Sequence, residues 1–252
     1  MDGGDEAVVL IFGRSILEGV GLTDVRKAGP HVLQERLTAA TGRPVRVEIR
    51  RLNPDGRDAS GYVSRILLDL DPDVAVIGVG AYDFGVGRVV NRLSELFGIR
   101  IARAASRVEA KTRAFQKTSR PGFLNRTARR IMTRFIGQAP MRTKAEAEFT
   151  LESVFRALSR NEGLDVIAYD TSGGGSRLIN ERNPAYGQLV SSFVADWEAR
   201  ARHRHFTWLG AAHLPDEAWA TDGVHFTERG HEIWVEHLAP TILDLLQRPP
   251  DR

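Results

Sequence analysis

Five short apolar runs, separated by stretches with helical periodicity, constrain this chain more than any other feature. "AVVLIF" (7–12), "DVAVIGVG" (73–80) and "LDVIAYDT" (164–171) are nearly continuous in apolar residues, as strands buried on both faces must be. "VRVEIRRL" (45–52) alternates apolar and polar residues and reads as a strand with one wetter face, and "HFTWLG" (205–210) as a short fifth strand. Helices are expected near 30–40, opening with Pro30 and closing near Gly42, and near 59–70, 86–98 and 145–161. Two more are expected over "YGQLVSSFVADWEARAR" and "ERGHEIWVEHLAPTILDLLQ". Strand and helix alternate throughout, which predicts an α/β fold of three layers, α/β/α, around a five-stranded parallel sheet. With no internal repeat or low-complexity linker, residues 1–252 read as one domain, and 99–144 as a helical insertion.

In an open parallel sheet the ligand sits beyond the carboxyl ends of the strands, where strand order reverses. The segments that follow the strands are therefore the places to look for chemistry. They are Gly13-Arg14-Ser15, Asn53-Pro54-Asp55-Gly56, Gly80-Ala81-Tyr82-Asp83, Asp170-Thr171-Ser172, and a late loop that holds Asp222 and His225.

"TDGVHFTERGHEIW" carries the strongest signal. Asp222 and His225 are three apart before the last helix, with Thr227 placed as its N-cap. That spacing lets a carboxylate hold one imidazole nitrogen while the other faces a reacting group, as a general base requires. Taken alone, the same residues also fit a capped helix with a surface histidine. Ser15 lies two residues past the first strand on a glycine-flanked turn, where a hydroxyl and backbone N–H groups meet the ligand edge. Taken alone, it also fits an N-cap serine.

Together these segments resemble the ordered blocks of the SGNH, or GDSL-type, serine hydrolases. The first block is similar to Gly13-Arg14-Ser15-Ile16, and the second-block glycine to Gly56, with Gly61 as the competing alignment. The third block is similar to Gly80-Ala81-Tyr82-Asp83, and the last to Asp222-Gly223-Val224-His225. The likeness spans residues 7–97 and 145–246. It implies a flavodoxin-like SGNH fold, Ser15 as nucleophile, His225 as general base and Asp222 as the residue that orients it. It further implies oxyanion donors at Ser15 and Gly56 and at the position of Tyr82, where the family has an Asn amide. Arg14 stands where the family has an Asp. Arg14 and Asp83 are expected to contact substrate, or each other.

The chain has no cysteine, so thiolate metal sites and a cysteine nucleophile are excluded. No cofactor and no metal are expected. The net charge of +3 is split unevenly. Residues 99–144 contain thirteen Lys or Arg against one acid, Glu109, giving +12 and leaving the rest of the chain at −9. "GFLNRTARRIMTRFIG" places Leu124, Ala128, Ile131, Met132 and Phe135 at helical spacing with arginines on the flanks, a basic amphipathic helix. It fits a helical pair solvating its arginines. It equally fits a lid that receives an acidic carrier protein, a CoA-type phosphate tail or an anionic lipid surface. No aromatic-basic platform suggests nucleic acid. The acidic start "MDGGDE" and the lack of an apolar run near the ~20 residues of a membrane span lead us to expect a cytoplasmic protein.

The leading expectation is an esterase-like hydrolase acting on a small ester through an acyl-enzyme. An acyltransferase using the same triad, and a catalytically weak relative that binds a ligand, are the alternatives. Tyr82 and Arg14 favour the last, and the intact Ser15, Asp222 and His225 oppose it.

Overall fold

The computed structural model describes residues 6–13, 17–52, 59–84, 142–172, 184–220 and 225–248. The expected helix at 86–98, most of the basic segment 99–144 and the positions Arg14, Ser15, Gly56 and Asp222 lie outside them.

The five strands are β1 (Ala7–Gly13), β2 (Val45–Arg51), β3 (Val74–Val79), β4 (Asp165–Asp170) and β5 (Thr207–Leu209). All pair in parallel, in the order β2-β1-β3-β4-β5. The chain moves outward from β1 to β2 and then returns to the other side of β1. Strand order therefore reverses between β1 and β3, the crevice where such sheets bind ligands.

Alternation along each strand divides the core in two. Leu10 and Phe12, Ala75 and Ile77, and Val166 and Ala168 face one layer of helices. That layer contains α2 (Ala59–Leu70), α4 (Lys144–Leu158) and α5 (Pro184–His203). Val9 and Ile11, Val74 and Val76, and Ile167 and Tyr169 face the other layer, α1 (Gly29–Thr41) and α6 (Glu228–Gln247). Strands covered on both faces need apolar residues at every position, which is why they read as unbroken runs. β2 lies at an edge and is only partly buried. Its polar positions Arg46, Glu48 and Arg50 pair with one another along the strand, which keeps the open edge charged.

The helix boundaries follow ordinary end chemistry. Gly42 closes α1 in the left-handed region at φ 68°. Thr143 and Glu146 form a reciprocal capping box on α4, and Thr227 caps α6 by accepting from the Gly230 N–H. Where the sequence places the next helix near 86–98, the structure already forms a single helical turn, α3, at Ala81–Phe84. Among the described residues no helix is long and apolar enough to cross a membrane.

Candidate active site

The end of β3 is built around Gly80 and Asp83. Gly80 has φ 136°, a backbone conformation that side-chain-bearing residues rarely adopt. A Cβ there would also come within 3.0 Å of Thr171 Oγ1 and 3.2 Å of Val194 Cγ2. The Gly80 N–H donates to Asp83 Oδ2 at 2.7 Å, and the Asp83 N–H donates back to the Gly80 carbonyl at 3.0 Å. This reciprocal pair makes four residues hold a helical turn that is too short to persist on propensity alone. Asp83 is only 7% exposed, so one oxygen of the carboxylate named as a substrate contact serves the turn.

That turn straddles the end of the sheet. Phe84 enters the α2/α4/α5 core and meets Phe193 edge-on, with ring centroids 4.8 Å apart. The Tyr186 hydroxyl donates to the Ala81 carbonyl at 3.4 Å, tying α3 to α5. Burial, with the Asp83 carboxylate nearby, pushes that hydroxyl up to about 12. Tyr82 points the other way, packing against the α1/α6 core.

On that side lies a small hollow of about 30 Å³, open to solvent, with the Tyr82 ring as one wall. Among the described residues Leu17, Leu214, Trp219 and Phe226 form the other apolar walls, Tyr169 and Trp234 the base, and Asp170 and Thr171 the β4 rim. Burial pushes the Tyr169 hydroxyl up to about 12; the Trp234 indole N–H beside it acts the opposite way, though outside hydrogen-bond geometry. The hollow joins segments from the ends of β1, β3 and β4 to the loop before α6, at the switch point of the sheet.

His225 is half-buried in a stitched entry to α6. Its carbonyl accepts from the Ala220 N–H at 2.8 Å, and the next residue, Phe226, bridges antiparallel to Trp219 with the rings 5.0 Å apart. The Thr227 N–H donates to the Ala218 carbonyl at 3.0 Å, and the Thr227 hydroxyl to the Glu217 carbonyl at 2.7 Å. Gly230 allows this close approach, since a Cβ there would collide with the Ala218 carbonyl oxygen. His225 is therefore presented from a bonded frame, although it precedes the helix.

A second histidine sets how α6 sits. His231 is wholly buried, and its Nδ1 accepts from the Gly29 N–H at 3.0 Å. Gly29 opens α1, whose N-cap, Ala28, has no side chain able to cap it. His231 supplies the missing cap from 202 residues away. Accepting at Nδ1 fixes the neutral tautomer with hydrogen on Nε2. Burial pushes this imidazole down to about 4.

Of the residues singled out from sequence, the structure brings Tyr82 to the hollow and sets Phe226, the neighbour of His225, in its wall. Arg14, Ser15, Gly56 and Asp222 lie outside the described residues. Tyr169 and Trp234 escaped the sequence reading. Position parity at the end of β4 is the only signal that points to Tyr169, and nothing local marks Trp234.

No family model matches this sequence, and no curated protein matches it. Solved structures do. The crystal structure of TesA superposes with a TM-score of 0.55 at 17% identity, covering 94% of this chain and 99% of TesA. A carbohydrate acetylesterase family member from Sinorhizobium meliloti gives 0.54 at 14% identity, covering 96% of this chain and all of that one (100%). The inhibitor-bound aryl esterase of M. smegmatis gives 0.54 at 14%, covering 95% of this chain and 99% of that one. At such identities the likeness is one of fold, and it extends over nearly the whole chain.

Proposed function

We propose that this chain is an SGNH/GDSL-type serine hydrolase that cleaves a small ester through an acyl-enzyme on Ser15. One observation carries the proposal. The hollow at the strand-order switch is walled by the chain neighbours of the three assigned catalytic segments: Leu17, two residues past Ser15; Tyr82 in the third block; and Phe226, directly after His225. The fold shared with TesA and with the two esterases supports the same assignment.

Ser15 Oγ attacks the ester carbonyl while His225 takes its proton, and Asp222 holds the imidazole in the productive tautomer and offsets its charge. The carbonyl oxygen becomes an oxyanion that receives the Ser15 and Gly56 N–H groups, with the Tyr82 hydroxyl as third donor in place of the family's Asn amide. His225 returns the proton to the leaving alcohol. Water, deprotonated by the same histidine, then attacks the acyl-enzyme; as the acyl–Oγ bond breaks, His225 gives that proton to Ser15 Oγ, releasing the acid and restoring both residues. Asp83 acts on this chemistry indirectly by holding the turn that carries Tyr82. Arg14, beside the nucleophile, offers a fixed cation to an anionic portion of the substrate. The single-domain organisation, with 99–144 as a basic helical insertion in the role of a lid, belongs to the same proposal.

Hydrolysis of p-nitrophenyl acetate tests it. Ser15→Ala and His225→Ala should each lower kcat by about 10⁴-fold or more. Turnover that survives both substitutions would remove the triad assignment.

A further inference from the structure

On the α1/α6 face of the sheet, the inward positions of β1 are Val9 and Ile11, and those of β3 are Val74 and Val76. The next inward position in each strand is a glycine, Gly13 and Gly78. Both lie one step beyond the paired Phe12 and Ile77, so they sit side by side at the same level of the sheet. Two adjacent strands thus lose their side chains where the ligand crevice begins, leaving a notch in the sheet surface.

The notch is filled from elsewhere. A Cβ on Gly13 would come within 2.6 Å of Leu17 Cδ1, so Leu17 lies directly over that glycine. A Cβ on Gly78 would come within 2.5 Å of Thr171 Cγ2 and 3.1 Å of Tyr169 Cζ and its hydroxyl oxygen, so the Thr171 methyl and the end of the Tyr169 ring together lie over the second glycine. Leu17 is 1% exposed and Tyr169 7%, and both line the hollow. Beside Trp234, the deep end of the hollow is therefore made by Leu17, Tyr169 and Thr171 standing on bare backbone.

Resting on the hydrolase assignment above, we infer that Leu17 and Tyr169 are the depth stops of the acyl pocket and restrict the enzyme to esters of short carboxylic acids. A short acyl group fits between the apolar walls above these side chains. A longer chain meets them where it would otherwise reach the Gly13–Gly78 notch. Shortening either stop deepens the hollow beside the Thr171 methyl and admits added methylenes to an apolar space, each of which discriminates between substrates through hydrophobic contact.

The test compares kcat/KM for p-nitrophenyl acetate and p-nitrophenyl octanoate in wild type, Leu17→Ala, Tyr169→Ala and Tyr169→Phe. Each protein is first titrated with a fluorophosphonate that reports a reactive Ser15. The octanoate-to-acetate ratio should rise about tenfold or more in the two alanine variants. Tyr169→Phe, which keeps the ring on Gly78, should keep the wild-type ratio. Should Tyr169→Ala fail to fold, Tyr169→Leu shortens the same stop while retaining an apolar filler, and the same rise is expected. An unchanged ratio in variants whose Ser15 still labels would overturn the depth-stop inference alone. Absence of labelling at Ser15 in the wild type would overturn the hydrolase assignment, and this inference with it.

Discussion

The buried bond between His231 and the first turn of α1 makes the fold sensitive to acid in a calculable way. In the native state Nδ1 accepts from the Gly29 N–H, and burial holds the imidazole down at about 4 instead of the usual 6.5. Between those values the unfolded chain carries a proton on this side chain and the folded chain does not. Unfolding therefore takes up a proton, and stability rises with pH across that interval. The contribution is fully present above pH 6.5 and is lost as pH falls from 6.5 toward 4. At 1.36 kcal/mol per pH unit, its upper limit is about 3 kcal/mol. The structural reason is direct. A proton on Nδ1 would set donor against donor at Gly29, and it would place a charge in a site with no exposed surface. The assay is urea unfolding of wild type and His231→Asn from pH 7.5 to 4.5. Asparagine retains an acceptor near the Nδ1 position but does not titrate, so the pH dependence of the difference isolates this group. Wild type should lose up to about 3 kcal/mol relative to the variant as pH falls. A difference that stays constant with pH would refute the reasoning, whatever its size.

Three other perturbations follow from the geometry. Gly80→Ala forces a side chain into φ 136° against Thr171 and Val194, and should lower stability by more than about 1 kcal/mol in a thermal melt. Asp83→Ala leaves the Gly80 N–H without its buried acceptor and should cost about 1–3 kcal/mol, whereas Asp83→Asn, which keeps a carbonyl oxygen, should recover part of that loss. In steady-state assays Tyr82→Phe should reduce kcat by about 10²–10³ with KM little changed, as expected for an oxyanion donor. An unaltered kcat would confine Tyr82 to the wall of the hollow.

The sheet was legible because strands buried on both faces cannot hide their composition: β1, β3 and β4 read as apolar runs, and the edge strand β2 betrays its wetter face through Arg46, Glu48 and Arg50. Helix ends were legible wherever a local side chain or glycine sets them, as Thr227 and Gly42 do. The single turn α3 was not, since four residues have no helical period and the turn depends on the bond from Gly80 to Asp83. The cap on α1 was equally hidden, because its acceptor is His231 on the last helix. The base of the hollow needs strand register: nothing in "LIFG" or "VIGVG" says that Gly13 and Gly78 end up side by side. The blocks Gly13-Arg14-Ser15-Ile16 and Asp222-Gly223-Val224-His225 mark candidate chemistry, but the walls of the hollow come from segments far apart in the chain.

The central claim is that Ser15 is an activated nucleophile, and covalent trapping addresses it most directly. Wild type and Ser15→Ala are treated with a fluorophosphonate, digested and mapped by mass spectrometry. The account predicts a stoichiometric adduct on the Ser15 peptide of wild type and none on the variant. Equal labelling of both proteins, or labelling of wild type at another residue alone, would contradict it.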